Sequence, residues 1–185
     1  QKIMIAGNDV TTLLAEYLDK SKIELGQMEY IPTKFDVTIT INEILSIFGI
    51  HAEQKGLTLT PSITTTKKHM IYADQAKLKE IVINIIDNSI KYTPQGSIDV
   101  SVTNKDGFVI IKVADTGVGM TEAVITKILA TDNKYTSLGT NNEKGTGLGI
   151  MLIKDFVSKM NGEINFESGL QKGTTAIIKI PQFIS

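Results

Sequence analysis

Apolar positions recur along this chain with two periods, and their alternation lays out the elements. Over residues 9–28, Leu14, Leu18 (with Tyr17), Ser21, Leu25 and Met28 follow one another at steps of three and four. That is close to a heptad seam and predicts an amphipathic helix. The spacing leaves two readings open, a helix packed on its own domain or half of a helical dimerisation element. Gly26 and Pro32 mark its exit. A second helix runs from about Thr40 to Gln54 and stops at Lys55-Gly56. Leu57–Thr60 alternates like a strand, and a short strand near His69–Tyr72 follows the polar loop Thr64–Lys68. Asp74 has the place of an N-cap for a strong helix over 75–92, ended by Pro94 and Gly96. Ile98, Val100 and Val102 define one strand, and Asn104–Gly107 turns it into another at Phe108–Ala114, a hairpin. A short helix at 121–129 precedes a polar stretch, 130–145, without apolar period. A helix over 146–160 closes at Asn161-Gly162. Ile164 and Phe166, then Thr174, Ala176, Ile178 and Ile180, form two last strands around Gln171–Gly173.

Strands that arrive in hairpins argue against a doubly wound parallel sheet. The expected architecture is α+β: a two-layer α/β sandwich with a mixed sheet covered on one face by helices. There is no internal repeat. The 185 residues suit one domain with a short appendage, divided here as 1–31 and 32–185. A hydrophobic fraction of 42 % and 21 % charged residues are ordinary for a globular chain. The net charge of −1 gives no basic field, which argues against nucleic acid as a partner. With no Cys, disulfides and thiolate chemistry are excluded. His51 and His69 are too few for a His-rich metal site. No apolar run approaches a membrane span, and the N-terminus lacks a signal pattern. The chain begins with Gln, as a piece of a longer protein would.

Three segments depart from what a structural chain needs. On the helix 75–92, Lys77, Glu80, Asn84, Asp87, Asn88 and Lys91 share an arc of roughly 100°. A merely solvated face would be rich in Lys and Glu, whereas two Asn four apart are poor helix formers. An Asn oxygen can ligate a hard cation such as Mg²⁺, whose other ligands are water and substrate phosphates. Asp115-Thr-Gly117-Val-Gly119-Met120 ends a strand; a buried Asp there can accept from an exocyclic amine, and glycine lets backbone approach a flat ring. Taken alone this motif is weak, since Asp and Gly are also turn residues. Gly145-Thr146-Gly147-Leu148-Gly149 runs into the last helix, where free N–H groups and the helix dipole suit phosphate. Its spacing is neither the dinucleotide fingerprint nor a Walker A loop.

In this order the three segments resemble the N, G1 and G2 boxes of the GHKL (Bergerat) ATP-binding fold, specifically the catalytic domain of sensor histidine kinases. The matches are Asn84-Ile-Ile-Asp-Asn88-Ser-Ile-Lys91-Tyr92, Asp115-Thr-Gly117-Val-Gly119 and Gly145-Thr-Gly147-Leu-Gly149, with Gly173-Thr174 before the last strand. Leu18–Gly26 is similar to the end of the second helix of that family's dimerisation hairpin, which favours dimerisation for the N-terminal helix.

The resemblance implies a role for each matched residue. Asn88 is expected to ligate Mg²⁺ and Asn84 to support it; Lys91 to contact phosphate; Tyr92 to lie near adenine and ribose. Asp115 is expected to accept from the adenine amine, with Gly117 and Thr174 completing the base pocket and Gly119 and Met120 alongside. Gly145, Thr146, Gly147 and Leu148 would present backbone to phosphate, with 130–145 as a mobile ATP lid. Asn84, Asn88 and Lys91 are thereby the catalytic set, and ATP and Mg²⁺ the cofactors. Two positions depart from the family: Ile128-Leu-Ala130 lacks the Phe usual before the lid, and Ala176 stands where Phe is frequent. Lys134 and Lys144 both remain candidates for the γ-phosphate contact.

The implied activity is transfer of the γ-phosphoryl of ATP to a histidine of the dimerisation domain, in two-component signal transduction. The implied partners are that domain, a response regulator and a second protomer, the isolated piece being weakly associated or monomeric. The implied location is the cytoplasm, with membrane anchoring of a longer chain left open. Hydrolytic relatives carry Glu four residues before the metal-binding Asn; here that place is Asn84, and an amide cannot serve as base. A GHKL-type ATPase and a degenerate nucleotide-binding module are the alternatives. His51, followed by Ala52 and Glu53, imitates an acceptor only superficially, so the phosphoacceptor is expected outside these residues.

Overall fold

The computed structural model describes residues 29–63, 67–130 and 149–184. The N-terminal helix expected over 9–28, the lid expected over 130–145 (apart from Ala130) and the Gly145–Leu148 segment lie outside the described residues.

The chain enters through β1 (Thr33–Asp36), which pairs antiparallel with β3 (Met70–Ala73) in a two-stranded sheet. The alternation of apolar positions had not marked β1, because four residues carry too little periodicity. Between the two lie α1 (Val37–Gln54) and β2 (Leu57–Ile63). The helix starts three residues before Thr40 because Asp36 caps it, accepting from Thr38 N at 3.0 Å. Next come α2 (Gln75–Tyr92), β4 (Gly96–Lys105) and β5 (Phe108–Asp115). They are followed by α3 (Glu122–Leu129), α4 (Gly149–Lys159), β6 (Glu163–Ser168) and β7 (Thr174–Pro181).

The main sheet has the order β2-β4-β5-β7-β6, with β2 parallel to β4 and every other pair antiparallel. It is the mixed sheet that the hairpins implied. The edge place of β2 explains how Pro61 fits within a strand, since one side of an edge strand needs no N–H donor. The β4–β5 hairpin closes on Asp106-Gly107, both at positive φ (52° and 80°), the backbone of a two-residue primed turn.

One face of the sheet is apolar. Ile98, Val100 and Val102 on β4, Val109, Ile111 and Val113 on β5, and Ala176, Ile178 and Ile180 on β7 are all buried. Against them pack Leu78, Ile81, Val82, Ile85, Ile86 and Ile90 of α2 and Leu152, Ile153, Phe156 and Val157 of α4. Fully burying each such side chain contributes about 1.5–3 kcal/mol, so the core dictates which face of α2 turns inward. Asp74 caps α2, its Oδ1 accepting from Ala76 N and Lys77 N while Oδ2 takes Ile31 N at 2.9 Å. Helices α1 and α2 run parallel: Gln75 Nε2 donates to Thr40 Oγ1, Lys79 pairs with Glu43, and Lys55 reaches the carbonyls at the end of α2. No helix among the described residues is long and apolar enough to cross a membrane.

Candidate functional site

A row of residues crosses the apolar face of the sheet at one end: Ile98, Asp115, Thr174 and Ser168 stand directly opposite one another on β4, β5, β7 and β6. Into this apolar surface the chain puts a carboxylate. Asp115 Oδ1 accepts from Gly117 N at 2.9 Å and from Thr174 N at 3.1 Å, and the Ser89 hydroxyl on α2 adds a third bond. Burial pushes the Asp115 carboxyl above the usual carboxylate range, and these three donors pull it partly back.

Gly117 explains how the strand end and α2 come so close. A Cβ there would collide with the Tyr92 carbonyl oxygen and stand 2.8 Å from Asp115 Oδ1 and 2.9 Å from Thr93 Oγ1. Val118 N donates to Tyr92 O at 3.1 Å, closing the loop onto the helix end. On its other side the loop is stitched to the β6–β7 turn. Gln171 N donates to Val118 O at 2.8 Å and Met120 N to Ser168 Oγ at 2.8 Å. Gly119, at φ 66°, lays its α-carbon against the Gly169 carbonyl.

The polar arc of α2 faces the start of α4. Asn84 Nδ2 donates to Glu80 O at 3.0 Å, which fixes the amide; its Oδ1 lies 2.9 Å from where a Cβ of Gly149 would stand. Glycine at 149 thus lets α4 approach the arc without pushing the Asn84 amide aside. One turn on, Asn88 is half-buried and makes no side-chain hydrogen bond among the described residues. The Lys91 ammonium lies 5.6 Å from the centroid of the Tyr92 ring. Asp87 is exposed, and Lys77 turns onto the Phe156 ring and to Glu80. The arc is thus partly covered by α4 rather than freely solvated.

Asn84, Asn88, Lys91, Tyr92, Asp115, Gly117, Gly119, Met120 and Thr174 therefore all fall around the junction of α2, the β5–α3 loop and the start of β7. Gly145, Thr146, Gly147, Leu148, Lys134 and Lys144 lie outside the described residues. Sequence reasoning missed four contributors. Ser89 and Ser168 hold Asp115 and Met120; Lys55 Nζ donates to Ile90 O at 2.6 Å and Lys91 O at 3.0 Å; Lys154 Nζ donates to Leu129 O at 2.6 Å and Ala130 O at 2.9 Å. Lys55 was visible only as part of a helix stop, and the others leave no local signal. Lys154 holds the end of α3, where the expected Phe is missing, and Ala176 is simply buried opposite Val113. A separate hollow lies on the opposite face of the sheet around Ile110, Lys112 and Ile177.

The fold is an α+β sandwich, a five-stranded mixed sheet with helices on one face and this junction at one end. Residues 73–184 match the family described as histidine kinase-, DNA gyrase B-, and HSP90-like ATPases, and the chain belongs to that family. It is 31 % identical over 182 residues to the autoinducer 2 sensor kinase/phosphatase LuxQ of Vibrio vulnificus, covering 95 % of this chain and 21 % of that protein. To sporulation kinase B of Bacillus subtilis it is 36 % identical over 171 residues, covering 91 % of this chain and 37 % of that protein. The structure of full-length ShkA in complex with AMPPNP superposes with a TM-score of 0.83 at 20 % identity, covering 97 % of this chain and 37 % of that one. The chain thus spans about a fifth of the length of the one curated relative and somewhat over a third of the other.

Proposed function

We propose that this chain is the catalytic domain of a sensor histidine kinase, binding Mg-ATP and transferring the γ-phosphoryl to a histidine on a dimerisation domain. The observation that carries this reading is Asn84. It stands where a water-activating Glu is needed for hydrolysis, and its amide nitrogen is committed to Glu80 O. An amide takes no proton near neutral pH, so an attacking water finds no base there. An imidazole nitrogen brings its own lone pair and needs none.

The remaining residues bind and orient. Asp115 accepts from the adenine amine, Gly117 and Thr174 complete the base pocket with Gly119 and Met120 beside them, and Tyr92 flanks adenine and ribose. Lys91 contacts phosphate. The Asn88 amide oxygen, free of other bonds among the described residues, suits a Mg²⁺ whose remaining ligands are phosphate and water. The bound ion would neutralise phosphate charge. Positioning of an in-line acceptor then accounts for most of the rate. The acceptor hairpin, a response regulator and a second protomer are the partners, and the reaction belongs in the cytoplasm.

The test mixes this chain, radiolabelled ATP and a separate protein carrying an acceptor hairpin. Acid-labile label is expected on the hairpin, with only slow phosphate release when it is omitted. Rapid release of phosphate without the hairpin would favour a hydrolase. Robust acid-labile labelling of this chain, lost in His51→Ala, would place the acceptor on α1 instead.

A further inference from the structure

The proton count around Ser168 determines which way a neighbouring hydroxyl points. Ser168 ends β6, half-buried, and its Oγ stands at the centre of three contacts. Met120 N donates to it at 2.8 Å, the Gly173 carbonyl oxygen lies at 2.7 Å, and Thr174 Oγ1 lies at 2.9 Å. A carbonyl oxygen can only accept, so the single Ser168 proton goes to Gly173 O. With that proton committed, Ser168 meets Thr174 only as an acceptor, and Thr174 must be the donor. The Thr174 oxygen consequently turns lone pairs, and no proton, toward the space beside it. Thr174 stands opposite Asp115, and its N–H is bound to Asp115 Oδ1. An ionised carboxylate also only accepts. The two side chains at the centre of the row thus offer acceptors and no donor.

We infer that Ser168 is a positioning residue that sets base specificity, holding the Thr174 hydroxyl as an acceptor so that the pocket takes 6-aminopurine nucleotides and rejects 6-oxopurines. The inference rests on the reading of Asp115 as the base contact. An exocyclic amine brings two N–H donors to this pair of acceptors, whereas a 6-oxo group meets lone pairs with lone pairs. Without the Ser168 oxygen, the Thr174 hydroxyl is free to rotate its proton outward and donate to such a group.

The experiment is calorimetric titration of this chain with ADP and with IDP in the presence of Mg²⁺, alongside a thermal melt of each variant. The wild type is expected to prefer ADP. In Ser168→Ala the ADP-to-IDP affinity ratio should narrow about tenfold, mainly through tighter IDP binding, since one hydrogen-bond match is worth about that factor. Ser168→Thr keeps the hydroxyl and should keep the ratio. Thr174→Val leaves Ser168 bound to Met120 and Gly173 and should also narrow it, which decides the matter even if Ser168→Ala fails to fold. An unchanged ratio in a folded Ser168→Ala or in Thr174→Val would overturn the inference, as would an equal loss of both nucleotides. A wild type that binds ADP and IDP equally would overturn it while leaving nucleotide binding in place. A wild type that binds neither would remove the proposed function itself.

Discussion

Replacing Asp115 by Asn tests the base pocket with a change of one atom and one charge. Two backbone donors, Gly117 N at 2.9 Å and Thr174 N at 3.1 Å, converge on Oδ1. An amide at this place must keep its oxygen there, because turning it over would set NH₂ against two N–H groups. Its NH₂ therefore takes the Oδ2 position and faces the incoming amine, donor against donor. The variant loses one hydrogen bond to a charged group, about 1.5–3 kcal/mol, and leaves polar groups unmatched at about 1–3 kcal/mol more. A total of about 2.5–6 kcal/mol corresponds to a fall of roughly two to four orders of magnitude in affinity. Stability should move the other way. The Asp115 carboxyl is raised because burial disfavours its charge. A raised carboxyl contributes stability below the ordinary carboxylate range and loses it as pH rises through its own value, so at neutral pH the charge costs the nucleotide-free fold. Asp115→Asn should then melt at or above the wild-type temperature while failing to bind ADP by calorimetry. By the same sign, wild-type affinity should decline on acidification at a pH above the usual carboxylate range. Unchanged ADP affinity in a folded Asp115→Asn would show that the base sits elsewhere.

The other expectations concern α2 and its supports. Asn88→Ala should lose most of the Mg²⁺ dependence of ATP affinity and Asn84→Ala much less, measured by titration with and without the metal; equal Mg²⁺ dependence in wild type and Asn88→Ala would move the metal ligand elsewhere. Lys55→Met removes two bonds to the last carbonyls of α2, and denaturant unfolding should show a loss of about 1–3 kcal/mol. Lys55→Arg should recover part of that loss. Ile86→Ala, at a fully buried position under the sheet, should cost about 2–5 kcal/mol in the same measurement.

The sequence by itself determined the elements that obey a local rule. The Asp74 cap, the apolar face of α2, the Asp-Gly hairpin and the alternation of β4 and β5 each express short-range sterics or periodicity, and each stands where the spacing put it. The order of the three boxes carried the family, because Asn84, Asn88, Asp115 and Gly117 are informative by type and distance along the chain. Only the tertiary structure decided how Asp115 is held. Gly117 stands two residues away, but the other donors come from Thr174 on β7 and Ser89 on α2, and residues that far from Asp115 leave no local pattern in the chain. The same is true of Lys55 under the end of α2 and of Ser168, whose three bonds join the Gly117–Met120 loop to the start of β7. A lysine in a turn and a serine at a strand end are locally unremarked. Their meaning lies in which unsatisfied carbonyl or hydroxyl the fold carries to within about 3 Å of them, and hydrogen bonds act only over that distance.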